Sequence, residues 1–257
     1  MLFQWLYHTT GVEMFDGRLF RAGFAALLSI ILVLTFMPKY IRLLQGLDAT
    51  SDLDKDGKSK SPPIMGGLLL VLVVTLVSLF TCKMNGYTIS TLVILVLFSS
   101  VGAIDDIAKV RAKRLIVQGK LKAADYMDKA DGLSSTIRLA LYFLFSFVVA
   151  IFCYKFIPDL RGNLTVPFCP ISFFQIQLPN WAFIGFMTFV IAATANGTNF
   201  TDGLDSLVSV PILTSMVFVG LVAYVSGNFI FSSYLHVPYL PGCDELFILA
   251  MSIAGSL

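Results

Sequence analysis

Apolar positions along this chain gather in long unbroken runs. They show neither the strict alternation of a half-buried strand nor the 3.6-residue stripe of a water-facing helix. The runs fall at roughly 19–37, 64–81, 88–105, 137–157, 181–199 and 207–227, and a further one opens at 246 and continues to Leu257. A helix rising about 1.5 Å per residue needs about 20 such residues to cross the hydrocarbon core of a bilayer. The pattern therefore predicts an all-α, polytopic transmembrane helix bundle with six spans and part of a seventh. The seventh run stops inside an apolar stretch. That reads as a chain cut short: one integral membrane domain over residues 1–257, its C-terminal part missing, and inactive on its own. Between the fourth and fifth runs the chain carries Pro158, Pro167, Pro170 and Pro179 among alternating apolar residues, which predicts a short β-hairpin outside the membrane.

Composition agrees with a lipid solvent. Hydrophobic residues make up 57% of the 257 and charged residues 13%, about half the charge of an ordinary soluble globule. The net charge of +2 is too small to point to nucleic acid. Its distribution says more. Thirteen of the 18 Lys and Arg lie in two stretches, 38–60 and 105–138. Two spans separate these stretches, so they face the same side. Basic loops stay in the cytoplasm, which puts both of them, and the turn near 199–206, on the cytoplasmic face, and the N-terminus outside. The other side then carries Arg18, Arg21, Lys83, Lys155 and Arg161. The four cysteines have no C-x-x-C spacing. Cys169 and Cys243 both fall on the outer side, where disulfides form, and their pairing stays open.

Most acids sit in polar loops and read as solvated charge. Asp105 and Asp106 differ, because they directly end the apolar run L-V-I-L-V-L-F-S-S-V-G-A-I. Adjacent carboxylates at a low-dielectric boundary need a cation, a metal or a proton. Lys109 lies three and four residues on, on the same helical face. The plainer reading is a helix-end charge cluster with Lys109 as partner. A second group, N-G-T-N-F-T-D-G-L-D over 196–205, repeats polar residues every third position: Asn196, Asn199, Asp202 and Asp205. Such residues are costly at this depth unless they bind something, although polar glue between helices would also account for them. A third element, K-S-K-S-P-P-I-M-G-G over 58–67, joins a basic loop to the next span. Together these place acids, amides and lysines on one membrane face. Carboxylates hold Mg²⁺, and Mg²⁺ with Lys neutralises a diphosphate. This is equipment for phosphoryl transfer, and no Walker loop implies ATP.

Three of these segments, V-G-A-I-D-D-I-A-K (101–109), N-G-T-N-F-T-D-G-L-D-S-L (196–207) and P-P-I-M-G-G (62–67), resemble the polyprenyl-phosphate N-acetylhexosamine-1-phosphate transferases. S-Y-L-H-V-P-Y-L (233–240) narrows the likeness to the members that begin peptidoglycan synthesis. The resemblance implies ten transmembrane helices in a full-length member, a homodimer in the bacterial inner membrane, and Mg²⁺ as cofactor. It implies UDP-MurNAc-pentapeptide as donor, undecaprenyl phosphate as acceptor, and lipid I and UMP as products. By the matched motifs Asp105, Asp106 and Asp202 are catalytic, with Asp105 taking the proton of the lipid phosphate. Lys109, Asn196, Asn199 and Asp205 line the substrate cleft. Asp105 and Asp106 are the candidate metal ligands here, the main one being expected beyond Leu257. Where the pattern has a lysine before its Met-Gly-Gly, this chain has Ser59 between Lys58 and Lys60; Lys60 takes the role, with Lys58 second. The loop after Lys109 is longer than the pattern, and Arg138 replaces a later substrate lysine. The nearest rival is a transferase of GlcNAc-1-phosphate for teichoic acid or O-antigen. An ion-coupled transporter, with Asp105, Asp106, Asp202 and Asp205 as a cation path, is a different class. Its coupling site would sit nearer the midplane. A purely structural membrane subunit is a third class.

Overall fold

A computed structural model describes residues 2–46, 65–117, 134–165, 175–201 and 207–257. The described chain is helical apart from two short strands. Its α-helices are α1 (Leu2–Thr10), α2 (Arg18–Gly46), α3 (Gly67–Thr81), α4 (Gly86–Val117), α5 (Ser135–Phe156), α6 (Asn180–Thr201), α7 (Ser209–Ser226), α8 (Phe229–Leu235) and α9 (Glu245–Ser256). The hairpin predicted for the outer loop is present. Strand β1 (Asn163–Thr165) pairs antiparallel with β2 (Gln175–Gln177), Leu164 opposite Ile176. Cys243 is a buried free thiol; Cys169 lies outside the described residues.

Among the described residues, five helices are long and apolar enough to cross a membrane: α2, α4 over Gly86–Arg111, α5, α6 and α7. The sequence runs at 64–81 and 246 onward form α3 and α9, which are apolar but shorter. For α3 the reason is local. Met65 has φ +76°, a left-handed geometry that an α-helix does not contain, so the helix opens only at Gly67. It closes at Cys82, whose backbone is extended. Asn85 then starts α4 with a reciprocal cap: its Oδ1 accepts from the Thr88 amide at 3.0 Å, and its own amide donates to Thr88 Oγ1 at 2.9 Å.

Successive long helices run in alternate directions, giving the bundle two ends. At one end, α2, α3 and α9 are tied by charge. Arg21 is 1% exposed and grips Glu245 with both guanidinium nitrogens, at 2.9 and 2.6 Å. It also donates to the Thr81 carbonyl at 3.1 Å, while the Lys83 amide donates to Glu245 at 2.8 Å. Arg18 pairs with Asp244, and Lys83 with Asp16 at 2.6 Å. That hydrogen bond from Lys83 holds the Asp16 carboxyl below its usual range. Arg21, placed on the outer side by the sequence, is thus buried there in a tie between α2 and α9. The helix begins at Arg18, which turns Arg21 inward against the acids that start α9.

Inside the membrane-spanning part, α9 packs along α2 through small residues. Ser29 and Ser252 hydroxyls are 2.9 Å apart, and a Cβ on Gly255 would run into the Ala26 carbonyl. Across α9, a Cβ on Gly220 of α7 would meet Ala250 Cβ at 3.0 Å. Small residues let backbones approach where lipid gives helices no hydrophobic reason to associate. Around this seam Ala22, Ala25, Val73, Val77 and Ile248 form a buried cluster. Large apolar side chains such as Leu27, Leu34, Phe189 and Phe218 stay exposed, as residues facing lipid do.

Candidate functional site

The other end of the bundle carries the predicted chemistry, and a small buried cluster sets its level. Val101 of α4, Tyr142 of α5 and Ala192 of α6 pack together, with Tyr142 stacked on Phe98 at 5.5 Å between ring centroids. One helical turn further toward this end stand Asp105, Arg138 and Asn196, each four residues from its cluster member and so on the same helical face. Three helices therefore present an acid, a cation and an amide at one height.

Asp105 is 8% exposed. Its Oδ2 accepts from Lys109 Nζ at 2.8 Å, one turn on in the same helix, and Oδ1 faces Arg138 Nη2 at 3.6 Å. Two cations thus face the same carboxyl group. The helix does not stop at the aspartates, as an apolar run ending there suggested. It continues to Val117, so both acids lie on a rigid helical wall. That removes the reading of a charge cluster at a helix end. It keeps Lys109 as partner, one turn along an unbroken helix.

Asp106 is half-buried and turns to a different neighbour. Its carboxyl lies near the backbone of Met65. The Met65 carbonyl in turn accepts from the Tyr40 hydroxyl at 3.1 Å. The Met-Gly-Gly junction and the end of α2 are thereby brought to the paired acids. Sequence reasoning placed that junction on the same membrane face but missed Tyr40. A lone tyrosine near the end of an apolar run carries no signal of its own.

Of the other predicted residues, Asn196 is half-buried at the level of Asp105, and Asn199 is exposed nearly one turn further out. Asp202, Asp205, Lys58 and Lys60 lie outside the described residues. No group of three or more His, Cys, Asp or Glu gathers among the described residues. The donor set at Asp105 and Asp106 nevertheless suits a hard divalent cation. Mg²⁺ binds through one or two carboxylates and takes its remaining oxygens from water and substrate phosphates. Asp106 is the freer of the two, because Asp105 already meets two cations. A cavity of about 500 Å³ lies elsewhere, lined by Pro158, Asp159, Asn163, Thr165 and Tyr239. It sits at the hairpin, at the opposite end from these acids, and contributes nothing to their chemistry.

Comparison with known proteins gives the same picture from outside. The family model described as glycosyl transferase family 4 matches residues 88–251, a stretch that contains Asp105, Asp106, Lys109, Arg138 and Asn196. The chain is similar to phospho-N-acetylmuramoyl-pentapeptide-transferase of Nitratiruptor sp., 30% identical over 259 aligned residues that cover 98% of this chain and 68% of that protein. It is 32% identical to the protein of the same name from Campylobacter lari, over 92% of this chain and 64% of that protein. The Campylobacter curvus protein of that name is 32% identical over 100% of this chain and 69% of its own length. The chain spans about two thirds of the length of these relatives.

Proposed function

The chain belongs to glycosyl transferase family 4, and from that premise we propose that it transfers phospho-MurNAc-pentapeptide from UDP-MurNAc-pentapeptide to undecaprenyl phosphate, giving lipid I and UMP. The observation that carries this reading is the carboxylate of Asp105, buried beside Lys109 and Arg138 at one end of a membrane bundle. It stands in a chain about 30% identical to proteins that bear the name of that transferase.

The residues suit the steps. The donor brings a diphosphate, and Lys109 and Arg138 are cations that can turn from Asp105 to its oxygens. Each such exchange trades one carboxylate contact for a phosphate contact and leaves Asp105 basic. Asp105 then takes the proton from the lipid phosphate. The freed oxygen attacks the phosphorus that bears the sugar, the bond from that phosphorus to the UMP oxygen breaks, and UMP leaves with the electron pair. Asn196, at the same level on α6, offers an amide that both donates and accepts, suited to the nucleoside or sugar. Asn199, Asp202, Asp205 and Lys60 belong to the same cleft in this reading, with Asp202 among the catalytic acids. Mg²⁺ held by Asp105 and Asp106 would supply neutralisation of the diphosphate charge.

The reading also sets place and company. It puts the acids on the cytoplasmic face of a bacterial inner membrane, where a water-soluble nucleotide donor meets a lipid acceptor. Spans with many exposed apolar side chains sit among membrane lipids, and a homodimer completes the assembly. The decisive assay is UMP release, in detergent with undecaprenyl phosphate and Mg²⁺, by a version of the protein that spans the full length of its relatives. UDP-MurNAc-pentapeptide should be the preferred donor. Equal or faster turnover with UDP-GlcNAc would instead support a GlcNAc-1-phosphate transferase, and release from neither would remove the reading.

A further inference from the structure

Phe3 is the buried residue of α1, and what it packs on sets where that helix lies. Its ring meets two rings of α2, Phe20 at 6.1 Å and Phe24 at 5.1 Å between centroids. Phe20 and Phe24 open a stripe of exposed apolar residues that continues through Leu27, Ile31 and Leu34. Steps of four and three residues keep that stripe on one face of the helix. Ala22, Ala25 and Ser29, on the opposite face, are buried. The exposed stripe is the side of α2 that lipid covers. α1 therefore rests on the lipid side of α2, not on its seam with α9, at the end of the bundle opposite Asp105.

The rest of α1 sorts by helical position. Leu2, Trp5 and Thr9 share one flank at i, i+3 and i+7, and all three are exposed. Gln4 and His8 form a separate polar flank. The Thr9 and Thr10 hydroxyls are spent inside the helix, donating to the Trp5 carbonyl at 2.9 Å and the Leu6 carbonyl at 2.7 Å. They ask little of water. The helix has no Asp, Glu, Lys or Arg. The second tryptophan of the chain, Trp181, lies at the same end of the bundle, 79% exposed in the first turn of α6.

We propose that α1 is a lipid-interface anchor: Leu2 and Trp5 enter the headgroup–acyl boundary of the leaflet opposite the acids, and Trp181 meets the same boundary from α6. The occupant is lipid because Phe3 seats α1 on a surface that already faces lipid, so the apolar flank of α1 continues that surface. An indole suits the boundary better than the core. Its ring is apolar, and its N–H finds a partner among the headgroups. Gln4 and His8 supply the polar flank that an interfacial helix keeps toward water. The proposal is independent of the chemistry at Asp105.

The test uses a version that spans the full length of the relatives, reconstituted into phosphatidylcholine vesicles. The acyl chains carry bromine, a fluorescence quencher, either near the headgroup or near the middle of the bilayer. Trp5→Phe and Trp181→Phe each remove one indole and keep an apolar ring, so the fluorescence that each variant loses belongs to that indole. An interfacial helix buries its apolar face only about 5–10 Å into the boundary, so shallow bromines should quench the Trp5 signal about twofold more than deep ones. The Trp181 signal should respond in the same way. Equal or stronger quenching of Trp5 by deep bromines would overturn the proposal, because the residue would then lie in the hydrocarbon core. Quenching of Trp5 by iodide in the water, with none by either lipid, would put α1 in solvent and overturn it too. Quenching by none of the three would mean that protein covers Trp5, which ends the lipid assignment. Shallow quenching at Trp181 with none at Trp5 would keep the boundary and remove α1 from it.

Discussion

A carboxyl group that faces two cations shares them with any anion that arrives. Asp105, with Lys109 at 2.8 Å and Arg138 at 3.6 Å, is poised in that sense: only an arriving anion can draw the cations off. Asp105→Asn keeps the size and the polarity and removes the charge and the basicity. In a version that spans the full length of the relatives it should lower UMP release by about 10²–10⁴-fold, the range typical for loss of a general base, while the protein elutes and melts as wild type does. Turnover within threefold of wild type would take Asp105 out of the mechanism. Lys109→Ala should behave differently. Arg138 still faces Asp105 in this variant, so KM for the UDP-sugar should change more than the melting temperature. These two residues were legible in the sequence because paired acids at the end of an apolar run have few bland explanations. Tyr40 was not legible, because its role depends on a carbonyl 25 residues away and on a backbone angle that no residue type announces at methionine. Asn196 was read as one of four equal members of a three-residue series. The buried cluster of Val101, Tyr142 and Ala192 is what singles it out among the described members.

At the scale of elements, long apolar runs were enough to find the helices but not how they touch. The α2–α9 contact depends on residues that hydropathy ranks low or ignores: Ser29, Ser252 and Gly255. Their value is that they are small. This yields a paired prediction. Gly255→Ala puts a Cβ into the Ala26 backbone and should destabilise the bundle by about 1–3 kcal/mol, the usual cost of overpacking. Gly23→Ala, on the same helix as Ala26 but with nothing within 4 Å of its added Cβ, should leave stability unchanged or raised, since alanine is the better helix former. Equal melting temperatures for the two variants would show that the seam is not tightly packed. The Arg21–Glu245 pair bridges 224 residues of sequence, which is why the sequence shows Arg21 without its partner. Removing one partner leaves a buried charge, so Arg21→Met should cost about 3–5 kcal/mol. Arg21→Met with Glu245→Leu should recover a large part of that loss, because a buried pair replaced by apolar residues is often close to neutral. Thermal unfolding in one detergent across the four proteins measures the cycle. A double variant no more stable than the single one would mean that the bond the Glu245 carboxylate accepts from the Lys83 amide, lost with the side chain, holds the three helices as much as the ion pair does.

The whole molecule is asymmetric in charge, and that asymmetry predicts its orientation. Stretches 38–60 and 105–138 hold 13 of the 18 basic residues. The alternating helices bring the described parts of both stretches to the end where Asp105 and Asp106 lie. The opposite end has five basic residues, and three of them are bound to acids: Arg18 to Asp244, Arg21 to Glu245 and Lys83 to Asp16. Paired bases add little to a positive-inside bias, so the effective difference between the ends exceeds the raw count. A donor nucleotide in the cytoplasm requires the same orientation, for an independent reason. Both arguments are testable on one background in which Cys169 is replaced by serine; the remaining cysteines, Cys82, Cys153 and Cys243, are buried. A membrane-impermeant thiol reagent added to intact cells should label Asn163→Cys, which sits on the exposed edge of the hairpin. It should not label Lys120→Cys until the membrane is opened. Labelling of Lys120→Cys alone from outside would reverse the topology and place the acids where no UDP-sugar reaches them, ending the transferase reading together with the orientation. Labelling of both positions from outside would mean that the basic stretches are not retained. Charge would then have failed as the guide to orientation, even with the helices correctly assigned.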